Sequence, residues 1–125
     1  MTRIQHVALR TQDLGASCRF YAEVLGVATG RTDEAVGRAW LDFPDGFTLI
    51  FDYAETPPDP PTLTYLGLEL ESFAAVDELV EKLEASVVIE RDMRETYRNA
   101  RGPYGFFIRD PNGYRLKVFT YNDGE

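Results

Sequence analysis

The residues of this chain that could do chemistry are few and mostly solitary. One histidine, His6, one cysteine, Cys18, and one tryptophan, Trp40, occur among 125 residues. An imidazole titrates near neutrality and can ligate a metal or move a proton, whereas a lone thiol forms no internal disulfide. His6 stands in "QHVALRT", and Tyr65 stands at the corresponding place in "TYLGLELE". Near the carboxyl end, "YRLKVFTY" carries Lys117 two residues before Phe119. An ammonium there could polarise a carbonyl or hold a carboxylate, with His6 or Tyr65 as general acid or base. Asp42, Asp52 and Glu69 lie in other candidate strands, where any of them could instead pair with Lys117. No Ser-His-Asp order, cysteine pair or phosphate-cradling loop competes, since "GRTDEAVG" lacks both the glycine spacing and the lysine of such a loop.

Composition narrows the partners. Thirteen Lys and Arg against 21 Asp and Glu give a net charge of -8, so a nucleic-acid surface is disfavoured and neutral or cationic ligands fit better. Hydrophobic residues at 44% and charged residues at 27% are ordinary globular usage, and the length suits one domain. Met1 is followed by "TRIQHVALR" rather than a basic and apolar leader, so a cytoplasmic location is expected. No apolar run approaches the ~20 residues of a spanning helix, so no membrane role is expected.

The elements that must position these groups read as one pattern written twice. Residues Ile4 to Leu9 alternate as a strand, and Asp13 caps "LGASCRFYAEVLG", where Leu14, Cys18, Tyr21, Ala22 and Leu25 recur at helical spacing before Gly26. A weak strand near Ala28 to Thr32 follows, then "GRAWLDF" and "FTLIFDY", joined by a hairpin at Pro44, Asp45 and Gly46. "ETPPDPPT" interrupts, because proline continues neither helix nor central strand. The second half repeats the order: the strand "TYLGLELE", Ser72 as cap, and a helix in "FAAVDELVEKLEAS". The strands "VVIERDMRE", "YGFFIRD" and "YRLKVFTY" complete it, the last two joined by the turn "DPNG". The offset from His6 to Tyr65 exceeds the ~20–50 residue period of solenoid repeats and suits a duplicated β-α-β-β-β module.

The phrases "HVALRTQDLGASCRFYAEVLG" and "GPYGFFIRDPNGYRLKVF" closely resemble the vicinal-oxygen-chelate superfamily. It includes glyoxalase I, extradiol dioxygenases, methylmalonyl-CoA epimerase, and fosfomycin and bleomycin resistance proteins. The resemblance covers nearly the whole chain. It implies an α+β fold in which two βαβββ modules form a curled mixed sheet around a central cup, and a homodimer. The chain is then a single domain: module one about 1–54, a linker 55–62 and module two about 63–122.

Metal-dependent members of that superfamily hold a divalent ion through a His on the first strand of each module and a carboxylate, usually Glu, on the last strand of each. Imidazole and carboxylate suit such ions, and open coordination positions admit a substrate's oxygens. Carried onto this sequence, the positions fall on His6, Ile50, Tyr65 and Lys117. A phenol ligates only as phenolate, with an ordinary pKa near ~10, and an ammonium has no lone pair and repels a cation. Asp52, two residues beyond Ile50, is the nearest carboxylate on that strand. The resemblance thus implies a divergent member without most metal ligands, and no cofactor is expected.

Period-two alternation assigns Val7, Leu9, Leu41, Phe43, Leu66, Leu68, Leu70, Leu116 and Val118 to the helix-packed faces. His6, Trp40, Asp42, Tyr65, Glu69, Lys117, Phe119 and Tyr121 then turn toward the cup, joined by Ile50 and Asp52. Aromatic walls with a few polar groups suit a small-molecule site, although large residues also simply fill space, and a lone strand His can be a hydrogen-bonded core residue. These ten residues are expected to contact a small organic ligand sequestered without metal, as in the bleomycin resistance proteins. The alternative is an enzyme of lyase, epimerase or dioxygenase type, metal-dependent through other ligands or metal-free through Lys117 with His6 or Tyr65.

Overall fold

A pleated sheet presents alternate side chains to its two faces, and this chain hides one face of each sheet beneath a helix. The structure, a computed structural model, describes residues 2–122. The chain divides into two compact units between Asp59 and Pro60, inside the proline-rich stretch, where Pro60–Thr62 makes a single 3-10 turn.

The first unit contains β1 (His6–Thr11), α1 (Leu14–Arg19), β2 (Thr29–Asp33), β3 (Arg38–Asp42) and β4 (Thr48–Tyr53). Its sheet has the order β1-β4-β3-β2, with β1 parallel to β4 and the other pairs antiparallel. Asp13 caps α1 as expected, its carboxylate accepting the Ala16 N–H at 2.9 Å. The helix then departs from the predicted regular spacing. Phe20–Val24 forms a π-turn, in which the Leu25 N–H donates to the Phe20 carbonyl at 2.8 Å. This wider turn sends two consecutive rings, Phe20 and Tyr21, into the core, and Tyr21 lies 5.7 Å from Phe51. Gly26, at φ +68°, ends the segment in a conformation that favours glycine. The hairpin at Pro44 to Gly46 is present, closed by the Phe43 N–H on the Phe47 carbonyl at 2.9 Å. Phe43 itself lies in that turn, half-buried beside Phe47, rather than packing fully with Leu41.

The second unit repeats the topology with β5 (Leu66–Glu69), α2 (Phe73–Leu83), β6 (Arg91–Asp92), β7 (Gly102–Arg109) and β8 (Arg115–Asn122), in the order β5-β8-β7-β6. Ser72 caps α2 by accepting the Ala75 N–H at 3.0 Å. Val76, Leu79, Val80 and Leu83 pack against Phe106, Ile108, Leu116 and Val118, each such side chain worth ~1.5–3 kcal/mol when fully buried. In the turn "DPNG", one oxygen of the buried Asp110 accepts the N–H groups of Asn112 and Tyr114, both at 2.9 Å.

The segment "VVIERDMRE" differs from the strand read from it. Only Arg91 and Asp92 pair with β7, and Arg94–Tyr97 is a helical turn, α3. The Asp92 carboxylate accepts the Arg94 N–H at 3.0 Å, which turns the chain there and leaves Met93 buried at the bend. The fold is therefore α+β, two βαβββ modules whose strands form two four-stranded mixed sheets. Among the described residues no helix is long and apolar enough to cross a membrane.

Gly105 on β7 faces Phe119 on β8 across the ladder. A methyl group there would collide with the Val118 carbonyl oxygen and stand 2.7 Å from the Phe119 Cα, so neither neighbour is a flexible side-chain end that could yield. Gly105→Ala should cost about 1–3 kcal/mol. Urea denaturation would read this directly, and an unchanged midpoint would contradict the close approach.

Candidate functional site

Burial fixes the pleat, so the residues left for chemistry are those opposite the buried ones. On β3, Ala39 and Leu41 are buried while Arg38, Trp40 and Asp42 alternate with them; on β4, Leu49 and Phe51 are buried and Thr48, Ile50 and Asp52 alternate. The registers stack these into rows: His6 beside Thr48 and Asp42, Ala8 beside Ile50 and Trp40, Arg10 beside Asp52 and Arg38. His6, Trp40, Asp42, Ile50 and Asp52 thus share one face of the first sheet.

That face is occupied by its own internal pairs. Arg38 Nε donates to Asp52 Oδ1 at 2.7 Å, and Asp42 accepts the Thr48 hydroxyl at 3.0 Å while standing 3.7 Å from Arg31. The Arg31 guanidinium lies 4.2 Å from the Trp40 ring centroid. His6 is exposed rather than a core residue. Its Nδ1 lies 2.8 Å from Gln5 Oε1, while the amide nitrogen of Gln5 donates to the Gly46 carbonyl at 3.1 Å. That bond orients the amide so that its oxygen faces the imidazole.

On the second sheet, Leu116, Val118 and Thr120 are buried, and Arg115, Lys117, Phe119 and Tyr121 alternate with them. Lys117 pairs across the ladder with Gly67 on one side and Phe107 on the other, while Glu69 pairs with Phe119. The Lys117 ammonium lies 5.0 Å from the Phe119 ring centroid and 5.6 Å from that of Tyr65. Tyr65 meets Phe107 edge to face at 5.6 Å, and Phe119 meets Tyr121 likewise at 5.1 Å. The partners expected for Lys117 are engaged elsewhere or out of reach: Asp42 and Asp52 bind arginines, and Lys117 makes no ion pair with Glu69.

Arg31 and Arg38 are not among the residues that the sequence reading turns toward the cup, yet both define the first face. Phe107 does the same for the second, beside Arg115, which alternation does turn to that face; the Arg115 guanidinium lies 4.1 Å from the Phe107 centroid and 3.5 Å from Glu90. Counting strand positions outward from "DPNG" would have put Phe107 opposite Lys117.

A separate polar network joins α2 to α3. Tyr104 donates its hydroxyl proton to Asp77 at 2.6 Å, and Arg94 binds Asp77 at 2.9 Å and Asp92 at 2.8 Å. The Tyr104 bond and then Arg94 hold the Asp77 carboxyl below its usual range, Arg94 does the same to Asp92, and Arg109 to Glu90. Burial, with Asp77 beside it, pushes the Tyr104 phenol up.

The four positions that the resemblance assigns to metal ligands hold an imidazole, an alkyl group, a phenol and an ammonium. This donor set does not suit a divalent ion, and the nearby carboxylate of Asp52 is bound to Arg38. Among the described residues no three His, Cys, Asp or Glu side chains come together.

Two βαβββ modules of the same topology, each with one sealed and one open sheet face, define a class of paired-module α+β proteins. The family model of the glyoxalase/bleomycin resistance protein/dioxygenase superfamily matches residues 3–118, and the chain belongs to that superfamily. The uncharacterised protein YwbC of Bacillus subtilis (strain 168) is 29% identical, over 94% of this chain and 96% of that protein. A possible glyoxalase from Bacillus cereus has the same fold, with a TM-score of 0.75 and 23% identity over 95% of this chain and 99% of that one. A glyoxalase/dioxygenase from Nostoc punctiforme also matches, with a TM-score of 0.75 and 24% identity over 97% of this chain and 92% of that one.

Because the His6 side chain is exposed and, among the described residues, bonds only to its neighbour Gln5, His6→Ala should change the unfolding free energy by less than about 0.5 kcal/mol. A larger loss in urea denaturation would return His6 to a structural role. The network around Asp77 has a pH signature. Carboxyls held low in the folded state stabilise above their unfolded pKa values near ~4, and that stability is lost as pH falls toward the folded values. Urea midpoints should therefore decline below about pH 4, and Asp77→Asn should be less stable at neutral pH with a shallower acid decline.

Proposed function

We propose that this chain is a small-molecule-binding protein of the glyoxalase/bleomycin resistance protein/dioxygenase superfamily that holds an organic ligand against aromatic side chains without a divalent metal. The observation that supports this most is Lys117. It stands where the resemblance calls for a carboxylate ligand, its ammonium lies among aromatic rings, and it would repel a nearby cation. Tyr65, whose phenol is a poor ligand at neutral pH, reinforces it. The open sheet faces combine aromatic surface with a few charged groups, the usual make-up of a site for a small organic molecule.

A second function, metal-free catalysis, is favoured by the same ammonium. Unpaired with any carboxylate among the described residues, it is available to polarise a substrate carbonyl. Lys117→Ala would abolish turnover in that case, whereas activity retained by the variant would exclude it.

Thermal unfolding of chelator-stripped protein with excess nickel, zinc, cobalt, manganese or iron(II) separates metal-free from metal-dependent function. An ion present at a hundredfold over its dissociation constant adds about 2.7 kcal/mol. No midpoint shift is expected with any of them. A clear shift that disappears in His6→Ala would make a metal-dependent enzyme the better account.

A further inference from the structure

We infer that the open face of the second sheet takes a flat aromatic acid, its carboxylate on Lys117 and its ring against Phe119 and Tyr65. This rests on the proposal that no metal occupies the ligand positions, and it narrows the ligand from any small organic molecule to an anion.

The first support is electrostatic. The chain carries far more carboxylates than basic groups, yet no described carboxylate comes within 4.0 Å of the Lys117 ammonium. Ring faces hold an ammonium with about 0.5–1 kcal/mol at exposed sites, less than the ~1.5–3 kcal/mol of a hydrogen bond to a charged group. Phe119 and Tyr65 therefore fix the position of Lys117 without neutralising it. Nearby, Arg115 adds positive charge, and Glu90 is already bound to Arg109 and Arg115. Among the described residues Glu69 is the carboxylate left on the face, beside Phe119, and it competes with an incoming acid.

The second support is shape. Position 67, directly across from Lys117, is glycine, and the missing side chain leaves room for the Phe119 ring, whose Cε1 would stand 3.2 Å from a Cβ there. The ring can therefore lie along the strands beside the ammonium. Tyr65 is 42% exposed, leaving ring surface for a second flat system to cover. The ammonium is a compact point charge, and the guanidinium nearest to it along β8, that of Arg115, is engaged by Glu90, so a single carboxylate suits the site better than a phosphate, which arginine pairs grip in bidentate fashion. A cationic ligand would meet Lys117 and Arg115 together, so the acidity of the whole chain is a poor guide to this face.

The test titrates the full chain by calorimetry with 2-naphthoate, 2-naphthylmethylammonium and acetate, alongside the metal panel. Binding of 2-naphthoate alone is expected, weakened about tenfold or more in Lys117→Met, partly kept in Lys117→Arg, and tightened in Glu69→Gln. Urea denaturation of each variant checks that it folds. Equal binding of 2-naphthoate by wild type and a folded Lys117→Met, preference for the ammonium probe, or no binding of 2-naphthoate would each overturn the inference. If the metals also give no shift, the metal-free proposal survives that failure; a metal shift lost in His6→Ala would bring down both.

Discussion

The pleat of the two parallel strand pairs governs everything chemical in this protein. β1 lies beside β4 and β5 beside β8, and in each pair the first and last strands of a module meet side by side. A slip of one residue would turn every side chain to the other face, moving Phe51 and Val118 out of the core and Ile50 and Lys117 into it. The cost of exposing those apolar side chains and burying an ammonium holds the register. Once the helix seals one face, the chemistry of the other is set by parity alone.

Charge on these open faces is local rather than global. The ion pairs described on the first face are partly exposed, with Arg38 and Asp52 leaving 40% and 43% of their side chains in solvent, so water and salt screen them and they add little to stability. Their consequence is positional: a carboxylate bound to Arg38 is not available to a metal ion or a cationic ligand. The same logic separates Lys117, whose charge no acidic side chain among the described residues offsets.

Much of this was legible in the residues themselves. Asp13 and Ser72 announce helix starts because their side chains bond backbone N–H groups within a turn, and "DPNG" announces a turn because Asp110 does the same. Such signals are local and survive without tertiary context. The π-turn at Phe20 and the bend at Asp92 were not legible, since each depends on which side chains the sheet can accept beneath it. The candidate site divides the same way. Alternation put Trp40, Asp42, Tyr65 and Lys117 on their faces, but which arginine binds which carboxylate is decided by long, flexible side chains that periodicity does not describe.

Duplication explains why the two faces can differ so much in character. Each module has its own helix cap, sealed face and four-stranded ladder, so the side chains on each open face are set by the pleat of that module. Tyr65 and Lys117 give the second module a phenol and an ammonium where the first has the imidazole of His6 and the alkyl group of Ile50. The Lys117 ammonium stands beside two rings and on the strand position opposite a glycine, so apolar surface and open space, not a carboxylate, surround it among the described residues.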